Sequence, residues 1–469
     1  MRLKRVQSDF RVTELLRDEA SLKGKGPYEL YRVTKRGLTT FEAADRIAQE
    51  AGVDRTDVTY AGLKDKDGIT GQYMTVAGGR AVKIKEPGLA IFHAGGAVRA
   101  LNSEDSIGNA FEIMVRDLGG DDMRRIRVNI EEVKRHGLPN YFDDQRFGCL
   151  RHGQGFVVRH LMKGDVEAAL HALLAAPSPF GSEHVERYKQ GITRRWGDWE
   201  ALTAFARGNR GSSAFEHLHA KPRDFAGALE RGVASREKTI HLFAYQSHLW
   251  NRALALRAQQ VTSGPDLAWL PGDAGGLPVW RSGNAEALAG IAACELPLLG
   301  KGAELSAESR RLYEAVMRSE GFSIEQFIGL DHSGFRPLAE LRPTVIRPEF
   351  LRAAPAELDE MHRLRRKMRL RFTLGRGQYA TLVCKRLLMP TDPGYRRLRL
   401  WVSRHAMEFP DDTGSAPPPG EELDEHRRRD DQRNEPRNEE RYDDDRRRPE
   451  PYRQQREHGP RGDARYPRW

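Results

Sequence analysis

Cysteine is almost missing from this chain. Cys149, Cys294 and Cys384 are the only three in 469 residues, and their wide spacing excludes a disulfide scaffold and any CxxC-type zinc site. Long apolar runs are missing as well. Nothing approaches the roughly 18 consecutive apolar residues needed to span a bilayer, and mean hydropathy is −0.67. The opening MRLKRVQSDFRVTELL runs straight into charged sequence, so no secretory leader and a cytoplasmic location are expected. Several catalytic signatures are also lacking: GxxxxGK[ST], a strand-to-helix GxGxxG, HExxH and GxSxG. Nucleotide hydrolysis, dinucleotide redox chemistry and zinc hydrolysis lose their usual markers, and neither metal nor cofactor is expected.

What is abundant is charge. There are 77 Lys+Arg against 67 Asp+Glu, a net of +10. The stretch 411–469 has 14 Arg and 17 Asp+Glu and few apolar residues, so it cannot bury enough surface to fold and reads as a disordered tail. Residues 1–410 then carry +13, with 63 Lys+Arg against 50 Asp+Glu. An excess of that sign suits a polyanionic partner.

Alternating apolar and polar residues predict strands over DVTYAGL (57–63), ITGQYMTV (69–76) and AFEIMVRDL (110–118). The first two flank KDKDG (64–68), whose Asp67-Gly68 predicts a tight hairpin. Helical spacing predicts helices over 121–137, 165–177, 240–260 and 306–321, the third with Leu242, Tyr245, Leu249, Trp250, Ala253 and Leu256 on a core-facing stripe. KMRLRFTLGRGQYATLVCKRLLM (367–389) reads as a strand, a Gly-rich loop, then a strand or helix.

Three polar segments carry groups suited to gripping an unstacked RNA base, where aromatics stack and cations neutralise phosphate. YAGLKDKDGITGQY (60–73) sets Asp65 between Lys64 and Lys66, and flanking cations favour the ionised form that a carboxylate nucleophile requires. PNYFDDQRFG (139–148) brings together Asn140, Tyr141, Phe142 and Arg146, and GRGQYAT (375–381) presents Tyr379. Taken singly, each also suits a bland role: a solvated turn, a buried aromatic loop, a Gly-rich turn with a core tyrosine.

Taken together and in order, they resemble the tRNA pseudouridine synthase D (TruD) family. YAGLKDKDGITGQ is similar to that family's xGxKDKxAxTxQ, PNYFDDQRFG to its PNYFGxQRFG, and FTLGRGQYATLVCKRLL to its FxLPxGsYATxxxREL. SDFRVTE (8–14), IGNAFEIMVRD (107–117) and FAYQSHLWNRAL (243–254) add weaker likenesses, so the resemblance spans residues 8 to 390. The departures are Gly68 for Ala, Asp143 for Gly, Arg376 after the LP position, and Lys385-Arg386 for the final Arg-Glu.

The resemblance implies an α+β fold: a pseudouridine synthase catalytic domain with a largely antiparallel sheet (1–171 and 346–410), interrupted by a smaller α/β insertion domain (172–345). It implies that Asp65 is the catalytic nucleophile and that Phe10, Asn140 and Tyr379 line a uridine pocket. Lys64, Lys66 and Arg146 are candidate phosphate or carboxylate partners. The implied substrate is tRNA at uridine 13, with other structured RNA as a further possibility. A monomer that does not bind membranes is expected. The competing reading is a catalytically silent RNA-binding or RNA-chaperone protein. A methyltransferase ranks lower, for want of any recognisable methyl-donor site.

Overall fold

The computed structural model describes residues 3–389, apart from 153–154, 177–181, 284 and 333. The expected disordered tail at 411–469 lies outside the described residues. Seven strands come from the first quarter of the chain: β1 (Phe10–Leu16), β2 (Lys23–Arg36), β3 (Val58–Thr59), β4 (Ile69–Ala77), β5 (Ile84–Glu86), β6 (Leu89–Ala97) and β7 (Ser106–Leu118). β8 (Leu138–Pro139) follows, then a largely helical stretch whose only described strands are β9 (Leu267–Leu270) and β10 (Leu277–Trp280). β11 (Val345–Ile346), β12 (Glu349–Ala353), β13 (Glu357–Leu358) and β14 (Arg366–Gly375) complete the set.

Ten of these strands make one sheet in the order β12-β14-β7-β1-β4-β2-β6-β5, with β13 on β14 and β3 on β4. Only β1 and β4 run parallel; every other pair is antiparallel. The fold is therefore α+β around a largely antiparallel sheet, as expected. Alternation in β1 and β14 puts Phe10, Val12, Leu370 and Phe372 on one face, beside Phe111 and Ile113 of β7. Helices Gly120–His136 and Ala380–Leu388 belong to the same core.

Helix Thr40–Ala51 covers the other half of that face. Thr39 accepts from the Glu42 N–H while the Glu42 carboxylate accepts from the Thr39 N–H, a reciprocal cap, and Gly52 in the left-handed region ends the helix. Its Ala43, Ala44, Ile47 and Ala48 bury against Tyr31, Val33, Met74 and Ile91. Helix Gly120–His136 has Asp121 and Asp122 in its first turn and Lys134, Arg135 and His136 in its last, signs that complement the helix dipole. It ends at Gly137 (φ 66°), where a Cβ would meet the Ile346 carbonyl at 2.7 Å. That close approach lets β8 pair with β11, so the chain leaves for the helical stretch and returns from it side by side.

The long helix expected at 240–260 runs Ser235–Val261 and is buried on more than one stripe: Gln246, Ser247, His248 and Asn251 are buried beside Leu242, Tyr245, Leu249, Trp250 and Ala253. Its amides are occupied, Gln246 by the Leu299 and Leu338 carbonyls and Asn251 by both backbone groups of Phe142. Two expectations fail. The segment 57–63 is a strand only at Val58–Thr59, and no tight hairpin forms at Asp67-Gly68: β3 meets β4 through Val58↔Val76 and Thr59↔Thr75, leaving residues 60–68 as a loop. Loop contacts from distant residues override the local turn preference. After β14, the chain forms helix Ala380–Leu388 rather than a strand.

Candidate active site

The 60–68 loop is held by four buried side chains. Lys35, on β2, donates to the carbonyls of Leu38, Lys64 and Asp65 at 2.8, 3.1 and 2.9 Å. Thr40 accepts from the Lys64 N–H at 2.9 Å and donates to Gln72, which donates in turn to the Gly62 carbonyl. Glu14, its side chain wholly buried, takes the Lys64 ammonium at 2.6 Å. These bonds fix the backbone at Asp65 and point its carboxylate elsewhere.

That carboxylate accepts from Lys4 Nζ at 2.7 Å and from the Asp67 N–H at 3.0 Å. Burial raises the Asp65 carboxyl, but the Lys4 charge and hydrogen bond, the Asp67 N–H and the Lys35 charge together outweigh it and hold the group below its ordinary value. Burial brings Lys35 down to about 8, against the pull of Asp65. Lys4 adopts φ 50°, a region unusual for a residue with a side chain, and its ammonium lies 3.9 Å from the Phe10 ring centre. Its segment is pinned by Asp9, which accepts from the Arg5 and Val6 N–H groups and pairs with buried Arg116. A Cβ at Gly68 would fall 2.7 Å from the Phe10 carbonyl oxygen, so glycine at this departure from the motif lets Phe10 close on the loop.

Asn140 and Tyr379 belong to a second cluster. Asn140 is buried; its Nδ2 donates to the Pro343 carbonyl, and its Oδ1 accepts from Arg342 at 2.8 Å. Arg342 also donates to the Asn140 and Gly377 carbonyls, which ties strand end β8 to the Tyr379 loop. Its guanidinium lies 3.9 Å from the Phe142 ring centre and 5.2 Å from Trp250, and burial brings it down to about 10. The Tyr379 ring meets Phe142 edge-on at 6.1 Å. Arg146 lies over Phe142 at 5.3 Å, its Nε buried and without an acceptor. Among the described residues neither Arg342 nor Arg146 has a carboxylate partner, an arrangement suited to an anion.

The structure thus brings Asp65 to Phe10 through Lys4, and Asn140 to Tyr379 through Arg342 and Phe142. On helix Ala380–Leu388, the Cys384 thiol is pushed up to about 12 by burial. Lys64 is taken up by Glu14, whereas Lys66 is exposed. Sequence reasoning missed Lys4, Lys35, Glu14 and Arg342. Two motif departures answer each other: buried Lys385 bonds Asp143 and Asp144, both at 2.6 Å, and Arg386 bonds Glu132 at 2.7 Å.

The model of the tRNA pseudouridine synthase D (TruD) family matches residues 1–387. The chain belongs to that family. It is 27% identical over 392 residues to a Methanococcus maripaludis protein named "Probable tRNA pseudouridine synthase D 1", covering 82% of this chain and 99% of that one. An Aquifex aeolicus protein named tRNA pseudouridine synthase D is 27% identical over 410 residues, covering 82% and 98%. In fold, the chain resembles a crystal structure assigned to tRNA pseudouridine synthase D from Methanosarcina mazei, with a TM-score of 0.62 at 22% identity over 82% of this chain and 93% of that one. Among the described residues of this TruD-family chain, no helix is long and apolar enough to cross a membrane.

Proposed function

We propose that this TruD-family enzyme converts uridine 13 of tRNA to pseudouridine, with Asp65 as the nucleophile acting on a flipped-out nucleotide. The observation that carries the reading is the Asp65 carboxylate, held ionised by Lys4 beside the Phe10 ring on a loop fixed from behind by Lys35. The reaction breaks the N1–C1′ bond, turns the uracil and rejoins it through C5, with no redox change. Asp65 attacks C1′ as uracil departs, or takes the C2′ proton as uracil departs and leaves the ribose as a glycal; both routes need an ionised carboxylate close to an extruded ribose.

The remaining roles follow from position. Phe10 walls the pocket and Tyr379 stacks with the uracil, a contact worth about 1–3 kcal/mol that offsets unstacking. Asn140, whose amide is bonded to Pro343 and Arg342, serves as the post that aims Arg342. Arg342 and Arg146 take the phosphates flanking the target, and exposed Lys66 adds a further cation. Residues 1–171 and 346–410 read as the catalytic domain, of which 390–410 lie outside the described residues, and 172–345 as the insertion; the side-by-side pairing of β8 with β11 supports that division.

Mapping pseudouridine by chemical adduct formation and reverse transcription, on tRNA transcripts incubated with the protein, tests the reading. The expected result is one new stop, at position 13. Stops elsewhere would overturn the site assignment, and none at all would favour a silent RNA-binding protein.

A further inference from the structure

Phe10 lies on the helix-covered face of the sheet, and the opposite face carries a feature the reaction does not use. Strand register places Arg352 beside Arg371, Arg371 beside Glu112, Glu112 beside Arg11, Arg11 beside Ile69, and Ile69 beside Arg36. Four arginines and one glutamate thus share a row across six adjacent strands, roughly 24 Å at ordinary strand spacing. Arg11, Arg36 and Arg352 are exposed, and among the described residues their side chains have no hydrogen-bond or ion-pair partner. Glu112 is shared by Arg371 at 3.2 Å and Arg369 at 3.7 Å, and Arg371 Nε is buried with no acceptor.

The neighbouring row on this face is small over five strands, Thr373, Ala110, Thr13, Gly71 and Thr34, and ends on β12 at exposed Glu349. A backbone lying across those five strands meets no bulky side chain. The arginine row also borders the pocket in sequence. Arg11 follows Phe10, Ile69 follows Gly68, and Arg36 precedes Gly37, whose N–H donates to the Lys66 carbonyl at 3.2 Å. A strand passing round the end of the sheet at the 64–68 loop therefore moves from one face to the other.

We propose that this row is a phosphate track that binds the RNA substrate outside the uridine pocket, which extends the proposed function and rests on its RNA substrate. Five guanidinium groups, counting Arg369, against two carboxylates, Glu112 and Glu349, favour a repeating anion, and the planar fork of arginine suits phosphate oxygens.

The test is tRNA binding by the full chain, measured by fluorescence anisotropy across salt concentrations, for wild type and the triple variant Arg11→Ala, Arg36→Ala, Arg352→Ala. Each lost phosphate contact should lower the slope of log affinity against log salt by about 0.7–0.9, so the triple variant should lose about 2 to 3 from the slope. A control triple, Arg124→Ala, Arg187→Ala, Arg310→Ala, makes the same charge change at exposed positions elsewhere and should keep the wild-type slope. An unchanged slope in the row variant, or an equal loss in both, would overturn the track. Pseudouridine formation by wild type, assayed in parallel, separates the two readings. Turnover with an unaltered row-variant slope removes the track alone; a row-dependent slope without turnover removes the reaction and leaves the track.

Discussion

Around Asp65 the positions are fixed by charge, with Lys4, Lys35, Lys64 and Glu14 all engaged within the loop's surroundings, whereas around Tyr379 they are fixed by rings and carbonyl oxygens that enclose Arg342. The first cluster spends its cations inward and presents an anion. The second leaves its guanidinium groups without carboxylates and presents cations. The proposed reaction calls for both, a carboxylate at the sugar and positive charge at the phosphates, and under that proposal each cluster would take one task.

Lys35→Met should have the largest effect, because three carbonyls would lose a buried donor, each at about 1–3 kcal/mol. Denaturant unfolding should show a loss of about 3 kcal/mol or more. The sign with pH is defined. Lys35 titrates at about 8 in the folded chain and near 10.5 when free, so the unfolded state holds more protons between those values and this group favours folding increasingly as pH rises through that window. The gap between wild type and the variant should widen from pH 8 to 10.

Arg342→Ala comes next. It frees Asn140 Oδ1 and the Gly377 carbonyl and removes the cation over Phe142, and displacement of this order typically costs about 10²-fold. Steady-state kinetics should show kcat/KM falling by about that factor, with Arg342→Lys intermediate. Lys4→Met should do least at neutral pH, because it moves a titration and leaves the carboxylate in place. Wild type should keep its acid limb below the ordinary carboxylate range, and the variant's limb should move up, because the Lys4 charge and hydrogen bond that lower the Asp65 carboxyl are gone. A limb that stays put would show that Lys4 does not hold Asp65 ionised.

Much of the sheet was legible because alternation in 69–76 and 110–118 is a local signal, and β4 and β7 fall where it predicts. The 60–68 loop was not, because its shape is set by Lys35, Glu14 and Thr40, which lie 20 to 50 residues away in sequence and belong to no local pattern. Asp65, Phe10, Asn140 and Tyr379 were singled out through their motifs. Arg342 was not, since it lies about 200 residues beyond Asn140 and is recognisable only from the bonds between them. The apparent loss of a glutamate at position 386 is likewise legible only in space, where Arg386 meets Glu132 of helix Gly120–His136.

The most direct test of the account is tritium release from tRNA labelled at uridine C5, comparing wild type with Asp65→Asn in the full chain. The substitution keeps the shape of the side chain and removes its charge. The account predicts steady release by wild type and background release by Asp65→Asn, with tRNA affinity of the variant within about twofold of wild type. Release by Asp65→Asn at a rate near wild type would contradict the account.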